Sequence, residues 1–478
     1  MKLIKKIKID KKNFNLNNKN IIVIQGLGFV GSVMSLVCAI STKNFVFGID
    51  LPKYHTKKKI NLLNKGKFPF KCEDLKIQNI LKKVVKQKNY FNTSSVIPYS
   101  IANIIVIDIN LDVKKKNNEL NQFIDFDVNL KNFKESIVQI GRYCREDVLI
   151  ILESTVPPGT TEKIVKPIIY EELKNRGLAT SKIKISHSYE RVMPGKNYIN
   201  SIKNYYRVYS GIDKKSAIST KKFLSTIINV KKYPLTELNT PTESEIAKIL
   251  ENSYRATNIA FMVEWTKFSE ITRTNIYNIV KAIKKRETHK NIMLPGIGVG
   301  GYCLPKDPLL AQWSLKNLFK SNEKLNFSIK SIKTNDQMPL YAYKFSIKIL
   351  KKFKIKKITL MGCAYTGDVG DTRYSPVEYF YKFLKKNNYL INIYDPYVDY
   401  WKENKITSIT KNKFYELDCD AIILCTGHQK FKGNRYFLKK LIEKKNLVII
   451  DLVGILKENE INKLKKKHYI KILGRGDI

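Results

Sequence analysis

Arginine is scarce in this chain of 478 residues: only 11 of its 87 basic side chains are Arg, although Asp and Glu number just 42 and the formal charge is +45. Nucleic-acid sites favour clustered arginine and aromatic platforms. Here lysines recur instead in short runs along the whole sequence, as at Lys57 to Lys59, Lys114 to Lys116 and Lys465 to Lys467. The charge therefore reads as solvated lysine-rich faces and excludes a nucleic-acid footprint as the main reading, while an anionic substrate would gain from the field. Cysteines number seven (Cys38, Cys72, Cys144, Cys303, Cys363, Cys419, Cys425), with irregular spacing and no CxxC pair. With no cleavable signal segment beside them, the expectation is a cytoplasmic protein with reduced thiols. His55, His187, His289, His428 and His468 show no metal-ligand spacing, so no metal is expected. Long apolar runs are missing too: the stretch from Ile21 to Gly48 is broken by Gly26, Gly28, Gly31 and the polar Ser41, Thr42, Lys43 and Asn44, which argues against a transmembrane span. Proline and glycine are few, 15 and 22, and hydrophobic residues make up 43%, which excludes disorder as the main state.

What is present is enough apolar material for two or three domains at this length. Short β-branched runs at Ile21 to Gln25, Phe45 to Asp50, Ile104 to Asp108, Val148 to Leu152 and Ile183 to Ser186 alternate with amphipathic segments, the pattern of a parallel, doubly wound sheet. From Pro241 to Met293 no glycine or further proline occurs, and Ile246, Ile249, Leu250, Ala256, Ile259, Ala260 and Val263 fall at helical spacing, which predicts a long helix and a second helical segment. The strand and helix alternation resumes at Ile358 to Gly362, Leu390 to Asp395, Ala421 to Thr426, Leu447 to Asp451 and Ile470 to Leu473. The fold class is therefore α/β, two doubly wound domains flanking a long helix. About the first 18 residues form a Lys/Asn-rich arm without a motif.

Gly26-Leu27-Gly28-Phe29-Val30-Gly31 follows the first strand and opens a helix, the context in which GxGxxG marks a dinucleotide pyrophosphate at a helix N-terminus and not a mere packing turn. Asp50 closes the next strand, 24 positions after Gly26, where a carboxylate accepts hydrogen bonds from ribose hydroxyls. NAD is favoured over NADP, with Lys53 leaving some room for a 2'-phosphate. In Pro295 to Asp307, PGIGVGGYCLPKD, the glycines Gly296, Gly298, Gly300 and Gly301 precede a lone Cys303 beside Lys306 and Asp307, a setting that orients and stabilises a thiolate. Taken alone, Cys303 reads equally well as a small apolar residue in a turn. Lys248 and Asn252 stand at i and i+4 and project from one helix face, which suits an oxyanion, although an isolated pair of this kind is more often solvated. Glu153 to Thr161 (ESTVPPGTT) and Tyr189 to Lys196 (YERVMPGK) each follow a strand and put Thr155 and Glu190 at carboxyl ends, where such sheets bind ligands.

In this order, and with Gly367 to Pro376 (GDVGDTRYSP), these segments resemble the UDP-glucose/UDP-N-acetylhexosamine/GDP-mannose dehydrogenase family over about residues 20 to 475. The resemblance implies a Rossmann-like NAD domain over 1–235, a central helical dimerisation and catalytic domain over 236–340 and a Rossmann-like nucleotide-sugar domain over 341–478. It makes Cys303 the nucleophile, Asp307 the residue supporting its activation, Lys248 and Asn252 oxyanion stabilisers, and Glu190 the acid implicated in thioester hydrolysis. Thr155 matches the hydroxyl that holds a water or the cofactor, and Arg373 a basic residue linked to NAD. The loop with Gly296, Gly298, Gly300 and Gly301 would hold the sugar together with Glu190, Arg191, Lys248, Asn252, Lys306 and Tyr365.

Where relatives of the UDP-glucose type often carry a second Glu four residues after the position of Glu190, this chain has Pro194; where a nucleotide-contacting Lys often follows Tyr365, it has Thr366. The turn at Asp451 to Gly454 also lacks the Arg often found there. ERVMPG is similar to the N-acetylhexosamine enzymes, so the expected activity is four-electron, NAD-dependent oxidation of the C6 hydroxymethyl of a UDP-N-acetylhexosamine for polysaccharide precursors, by a homodimer or larger homo-oligomer. UDP-glucose and GDP-mannose are the alternative substrates; a catalytically idle sugar-nucleotide binder is the alternative class.

Overall fold

The computed structural model describes residues 16–70, 74–120, 123–192, 197–409, 418–444 and 446–478. Most of the N-terminal arm, together with Cys72 and Pro194, lies outside the described residues. The chain divides into two compact units. One comprises Met1–Lys114, Asp127–Ile249 and Leu310–Glu323; the other comprises Lys115–Phe126, Leu250–Leu309 and Lys324–Ile478.

The first unit is built on eight strands: β1 (Asn20–Gln25), β2 (Asn44–Ile49), β3 (Tyr90–Thr93), β4 (Ile104–Ile107), then, after a hairpin, β7 (Leu149–Leu152), β8 (Lys184–Tyr189), β9 (Val208–Gly211) and β10 (Thr236–Glu237). The hairpin strands between are β5 (Val113–Asn117) and β6 (Phe123–Val128). The spatial order is β10-β9-β8-β7-β4-β1-β2-β3. Every pairing is parallel except β8 with β9. Crossover helices cover both faces, so the central strands are apolar on both sides: Ile22, Val23, Ile24, Ile105, Val106 and Ile107 are fully buried.

In the second unit β11 (Lys357–Met361), β12 (Leu390–Tyr394), β15 (Ala421–Leu424), β16 (Val448–Asp451) and β17 (Tyr469–Ile472) form a wholly parallel sheet in the order β12-β11-β15-β16-β17. β13 (Tyr400–Trp401) and β14 (Ile406–Thr407) make a small antiparallel pair beside it in the chain. The β5–β6 hairpin falls mostly in this unit, where Lys115 Nζ meets Asp336 Oδ2 at 2.6 Å on the helix Asn326–Lys352.

The long helix is Pro241–Ile271, and Ile276–Ile283 follows it. Two doubly wound sheets with a long helix between them in the sequence are thus what the chain forms. The sequence reading passed over β3, the hairpin, β9 and β10. β3 is only Tyr-Phe-Asn-Thr, and β5 is Val-Lys-Lys-Lys-Asn with alternate residues exposed, so neither carries the apolar run by which a doubly buried strand is recognised. No helix among the described residues is long and apolar enough to cross a membrane.

Candidate active site

In the first unit the chain leaves β1 at Gly26 with φ 100°, where a Cβ would stand 2.4 Å from the Asp108 carbonyl oxygen. A Cβ at Gly31, in the first turn of the helix Phe29–Ala39, would meet the Gly26 oxygen at 1.9 Å. Side chains are therefore excluded where strand and helix approach, and around Gly28 the nearest atom to such a Cβ is Asn110 Nδ2 at 3.8 Å. No side chain caps this helix, which begins with Phe29 and Val30 just past the glycine turn, and the positive end of a helix dipole there favours an anion. Asp50 follows β2. Its Oδ2 accepts from Leu27 N at 3.3 Å and from Lys59 Nζ at 2.5 Å, and its Oδ1 accepts from Leu51 N at 2.8 Å. A glycine cradle beside a half-reachable carboxylate fits the pyrophosphate and ribose diol of NAD.

Farther along the same sheet, half-buried Thr155 lies three residues past β7 and Glu190 lies directly past β8. Lys248 Nζ donates to the Glu190 carbonyl oxygen at 2.7 Å, stands 3.9 Å from Glu190 Oε1 and sits 5.4 Å from the centre of the Tyr189 ring. Glu190 turns its own Oε2 to Val192 N, and Arg191 stacks over Tyr189 and Tyr205. The long helix carries Glu245 three residues before Lys248, and Glu245 accepts from Gly159 N (2.5 Å), Thr161 N (2.8 Å) and Thr161 Oγ1 (2.6 Å). It thereby fixes the Pro-Pro-Gly turn after Thr155 to the helix of Lys248. Burial pushes the Glu245 carboxyl up to about 8.

The second unit holds Cys303 and its neighbours. Cys38, Cys144, Cys363, Cys419 and Cys425 are buried, and burial raises each of those thiols; Cys303 alone among the described cysteines is half-buried. Its carbonyl accepts from Lys306 N at 3.0 Å and Asp307 N at 2.9 Å as the helix Asp307–Asn317 begins. Asp307 is fully buried; Lys306 Nζ pairs with its Oδ1 at 2.9 Å and Asn252 Nδ2 donates to its Oδ2 at 2.7 Å. Lys306 also lies 4.5 Å from the centre of the Tyr302 ring. Ahead of the cysteine, Gly296 stands clear of neighbours, a Cβ at Gly298 would strike Pro376, and one at Gly301 (φ 80°) would come within 2.7 Å of the Tyr365 ring. Gly301 N donates to the Arg373 carbonyl at 3.2 Å, and the Arg373 guanidinium pairs with Asp371 at 2.7 Å while lying 5.5 Å from the Tyr302 ring centre. Burial raises the Tyr365 hydroxyl, with the Asp371 charge adding to it.

The structure thus groups Lys248 with Glu190, Asn252 with Asp307, and Gly301 with Tyr365 and Arg373. It also shows polar groups that the sequence did not single out. Arg207 pairs with Glu153, both almost wholly buried, beside Asp108, whose carboxyl is pushed well up by burial and by the charges of Glu153 and Glu190. His187 Nδ1 meets Ser244 Oγ at 2.6 Å. Their partners lie far apart in the sequence, and only the position of Asp108 and His187 in or near strand ends hinted at them.

Three models of the UDP-glucose/GDP-mannose dehydrogenase family match in order: its NAD binding domain at residues 19–228, its central domain at 242–336 and its UDP binding domain at 359–458. A UDP-N-acetyl-D-mannosamine dehydrogenase of Methanococcus vannielii is 32% identical over 468 residues, covering 96% of this chain and 97% of its own length. The protein of the same name from Campylobacter jejuni is 27% identical over 80% of this chain and 88% of its own. Among solved structures, a UDP-D-ManNAc dehydrogenase from Pyrococcus horikoshii superposes with a TM-score of 0.78 at 26% identity, covering 96% of this chain and all of that one.

Proposed function

The chain belongs to the UDP-glucose/GDP-mannose dehydrogenase family and is an NAD-dependent nucleotide-sugar dehydrogenase; we propose that it oxidises C6 of a UDP-N-acetylhexosamine to a carboxylate through a covalent intermediate on Cys303. The substrate assignment is carried by similarity over nearly the whole chain to UDP-N-acetyl-D-mannosamine dehydrogenases. The chemistry is carried by one observation: the half-buried thiol of Cys303 is followed, within four residues, by a buried Lys306–Asp307 pair that Asn252 completes.

Bound NAD supplies the hydride acceptor for both oxidations. Loss of a hydride from C6 and of the hydroxyl proton gives the aldehyde, whose sp2 carbon has no further hydride to give until a nucleophile adds to it. Cys303 provides that addition, its S–H proton passing to Asp307 as the C–S bond forms and the carbonyl oxygen takes up the electron pair, and the proton returns to sulfur when that bond later breaks. Lys248 and Asn252 supply N–H donors to that oxygen. Loss of hydride from the thiohemiacetal gives a thioester. Water then attacks, with Glu190 or Asp307 taking its proton; the C–S bond breaks, and the thiol and a uronic acid are released. Thr155 holds the water or the cofactor, Arg373 the cofactor, and Tyr365, Arg191, Lys306 and the loop from Gly296 to Gly301 hold the sugar nucleotide.

We assign the enzyme to the cytoplasm, to polysaccharide precursor synthesis and to a homodimer. Leu250, Tyr254, Phe261, Trp265 and Phe268 are exposed at spacings of four, seven, four and three residues, which puts them on one stripe of the long helix. NAD reduction at 340 nm with UDP-GlcNAc, UDP-ManNAc, UDP-GalNAc, UDP-glucose and GDP-mannose, on protein whose mass is read by light scattering, tests these assignments. The expectation is turnover of a UDP-N-acetylhexosamine ahead of UDP-glucose, with two NADH per acid. Turnover of GDP-mannose alone would overturn the substrate assignment, and turnover of none would leave the idle binder.

A further inference from the structure

His428 is a buried side chain that the reaction does not use, and its two ring nitrogens are spent on two different loops. Nε2 lies 3.2 Å from Asp395 Oδ2, just past β12, and Nδ1 accepts from the backbone N of Asp368 at 2.9 Å. These partners fix the tautomer, with the proton on Nε2. The Asp368 end is gripped from three sides. Its carboxylate Oδ1 accepts from Gln429 N at 2.9 Å and from Tyr397 Oη at 3.3 Å, while Asp368 itself adopts φ 60°, a left-handed conformation that Asp tolerates better than most residues. The imidazole is flanked by Tyr397, tilted at 40°, and by Phe431, edge to face at 84°, with ring centres 5.1 and 5.4 Å away.

Asp368 lies within the loop that carries Tyr365 and Arg373, and that loop is packed backbone to backbone on its support. A Cβ at Gly367 would meet the Gly427 oxygen at 2.4 Å, and one at Gly370 the Tyr397 oxygen at 2.6 Å. On its other side the same loop abuts the residues just before Cys303: a Cβ at Gly300 would be 2.6 Å from Tyr365 Cβ, and Gly301 N bonds to the Arg373 carbonyl. The tether at His428 therefore fixes, through one loop, where Tyr365 and Arg373 stand against the glycine segment of Cys303.

We propose that His428 is a positioning residue for the nucleotide-sugar site, acting through its Nδ1 bond to Asp368 and not through contact with substrate. This rests on the reading that Tyr365, in that loop, holds the sugar nucleotide. Without its acceptor on the buried imidazole, the half-buried N–H of Asp368 no longer ties the loop to its support, and the loop is released.

Two substitutions separate the two nitrogens. His428→Asn keeps an acceptor near the Nδ1 position and loses the donor, whereas His428→Gln keeps a donor near Nε2 and loses the acceptor. In the full-length enzyme, His428→Gln is expected to raise KM for the UDP-sugar about tenfold while changing kcat less than about threefold, and His428→Asn to stay near wild type. Hydrogen exchange of the peptide spanning Asp368, which needs no turnover, should quicken in His428→Gln only. If both variants lose equally, if exchange is unchanged in both, or if exchange quickens while KM stays put, the positioning role is wrong. Should the wild type oxidise no nucleotide sugar, the functional reading falls, and the exchange comparison still decides the tether.

Discussion

In the first unit β1 turns at Gly26 with φ 100°, its N–H bonded to Ile49 O at 2.8 Å, and the neighbouring strand runs into Asp50. In the second, β11 turns at Gly362 with φ 93°, its N–H bonded to Tyr394 O at 2.8 Å, and the neighbouring strand runs into Asp395. The backbone device is the same, and in both units the acid turns back to the N–H groups of the glycine turn. What differs is how much of the carboxylate is left over. Asp50 is 13% exposed and shares Oδ2 between Leu27 N and a lysine that can move aside. Asp395 is sealed: Cys363 N, Ala364 N, Tyr397 N and His428 Nε2 take both its oxygens, and its side chain has no exposed surface. One acid remains available to a ribose, and the other has become a structural knot. Position at a strand end makes a ligand site available, and the neighbouring side chains decide whether it is used.

The largest effect expected from separating the units is at Cys303. Cys303→Ser should cut overall turnover by at least about a thousandfold if the proposed covalent step operates, while NAD affinity, which we assign to the other unit's glycine cradle, should stay within about twofold. NADH production followed at 340 nm beside a fluorescence titration of NAD reads both. A variant still delivering two NADH per sugar at near wild-type rate would end the covalent mechanism.

The two acids test the comparison directly. Asp50→Ala should weaken NAD about 10- to 100-fold, with NADP weakened less because its 2'-phosphate gains from the lost charge, and should leave stability nearly unchanged. Asp395→Ala should leave NAD affinity alone and destabilise the second unit by about 3 kcal/mol, since it strands three backbone N–H groups and a histidine in the interior. Equal effects of the two substitutions on NAD binding, read by titration with parallel thermal melts, would erase the distinction drawn between them.

The strands around these acids were legible because a parallel sheet covered on both faces leaves unbroken apolar runs such as Ile21 to Gln25 and Ala421 to Thr426. The glycine turn, the Cys303 loop and the Lys248 helix face were legible because each repeats a local spacing. Partners brought together only by folding left no such trace. Glu245 serves a turn more than 80 residues away, Arg207 neutralises Glu153 across 54 positions, and His428 reaches back 33 residues to Asp395. In the sequence nothing in the residues beside each of them says what it meets. The hairpin from Val113 to Val128 was missed for a different reason: its lysines face water on one side and an acid, Asp336, on the other, so polarity hid a strand.

The smallest expected effect compares how each unit ties down its polar core with a histidine. His187, in β8, is fully buried; burial and the nearby Lys248 charge hold its imidazole down to about 3, so it is neutral where it meets Ser244 Oγ, which in turn meets Ser210 Oγ at 2.6 Å. The unfolded chain binds a proton at this histidine below about pH 6.5 and the folded chain does not, so folding stability contributed here is complete above that value and is lost as pH falls toward 3. By pH 5 the loss amounts to about 2 kcal/mol. Asp108 and Glu153, raised by burial, act in the opposite sense, because the folded state holds their protons more tightly than the unfolded chain does. The total acid response of the unit therefore mixes signs, and the informative quantity is a difference. His187→Asn removes the titration but keeps a polar group near the Nδ1 position facing Ser244, so its stability deficit relative to wild type should shrink by about 2 kcal/mol between pH 7.5 and pH 5, measured by urea unfolding at each pH. A deficit that stays constant over that range would mean that the imidazole of His187 takes up its proton as easily in the folded protein as in water.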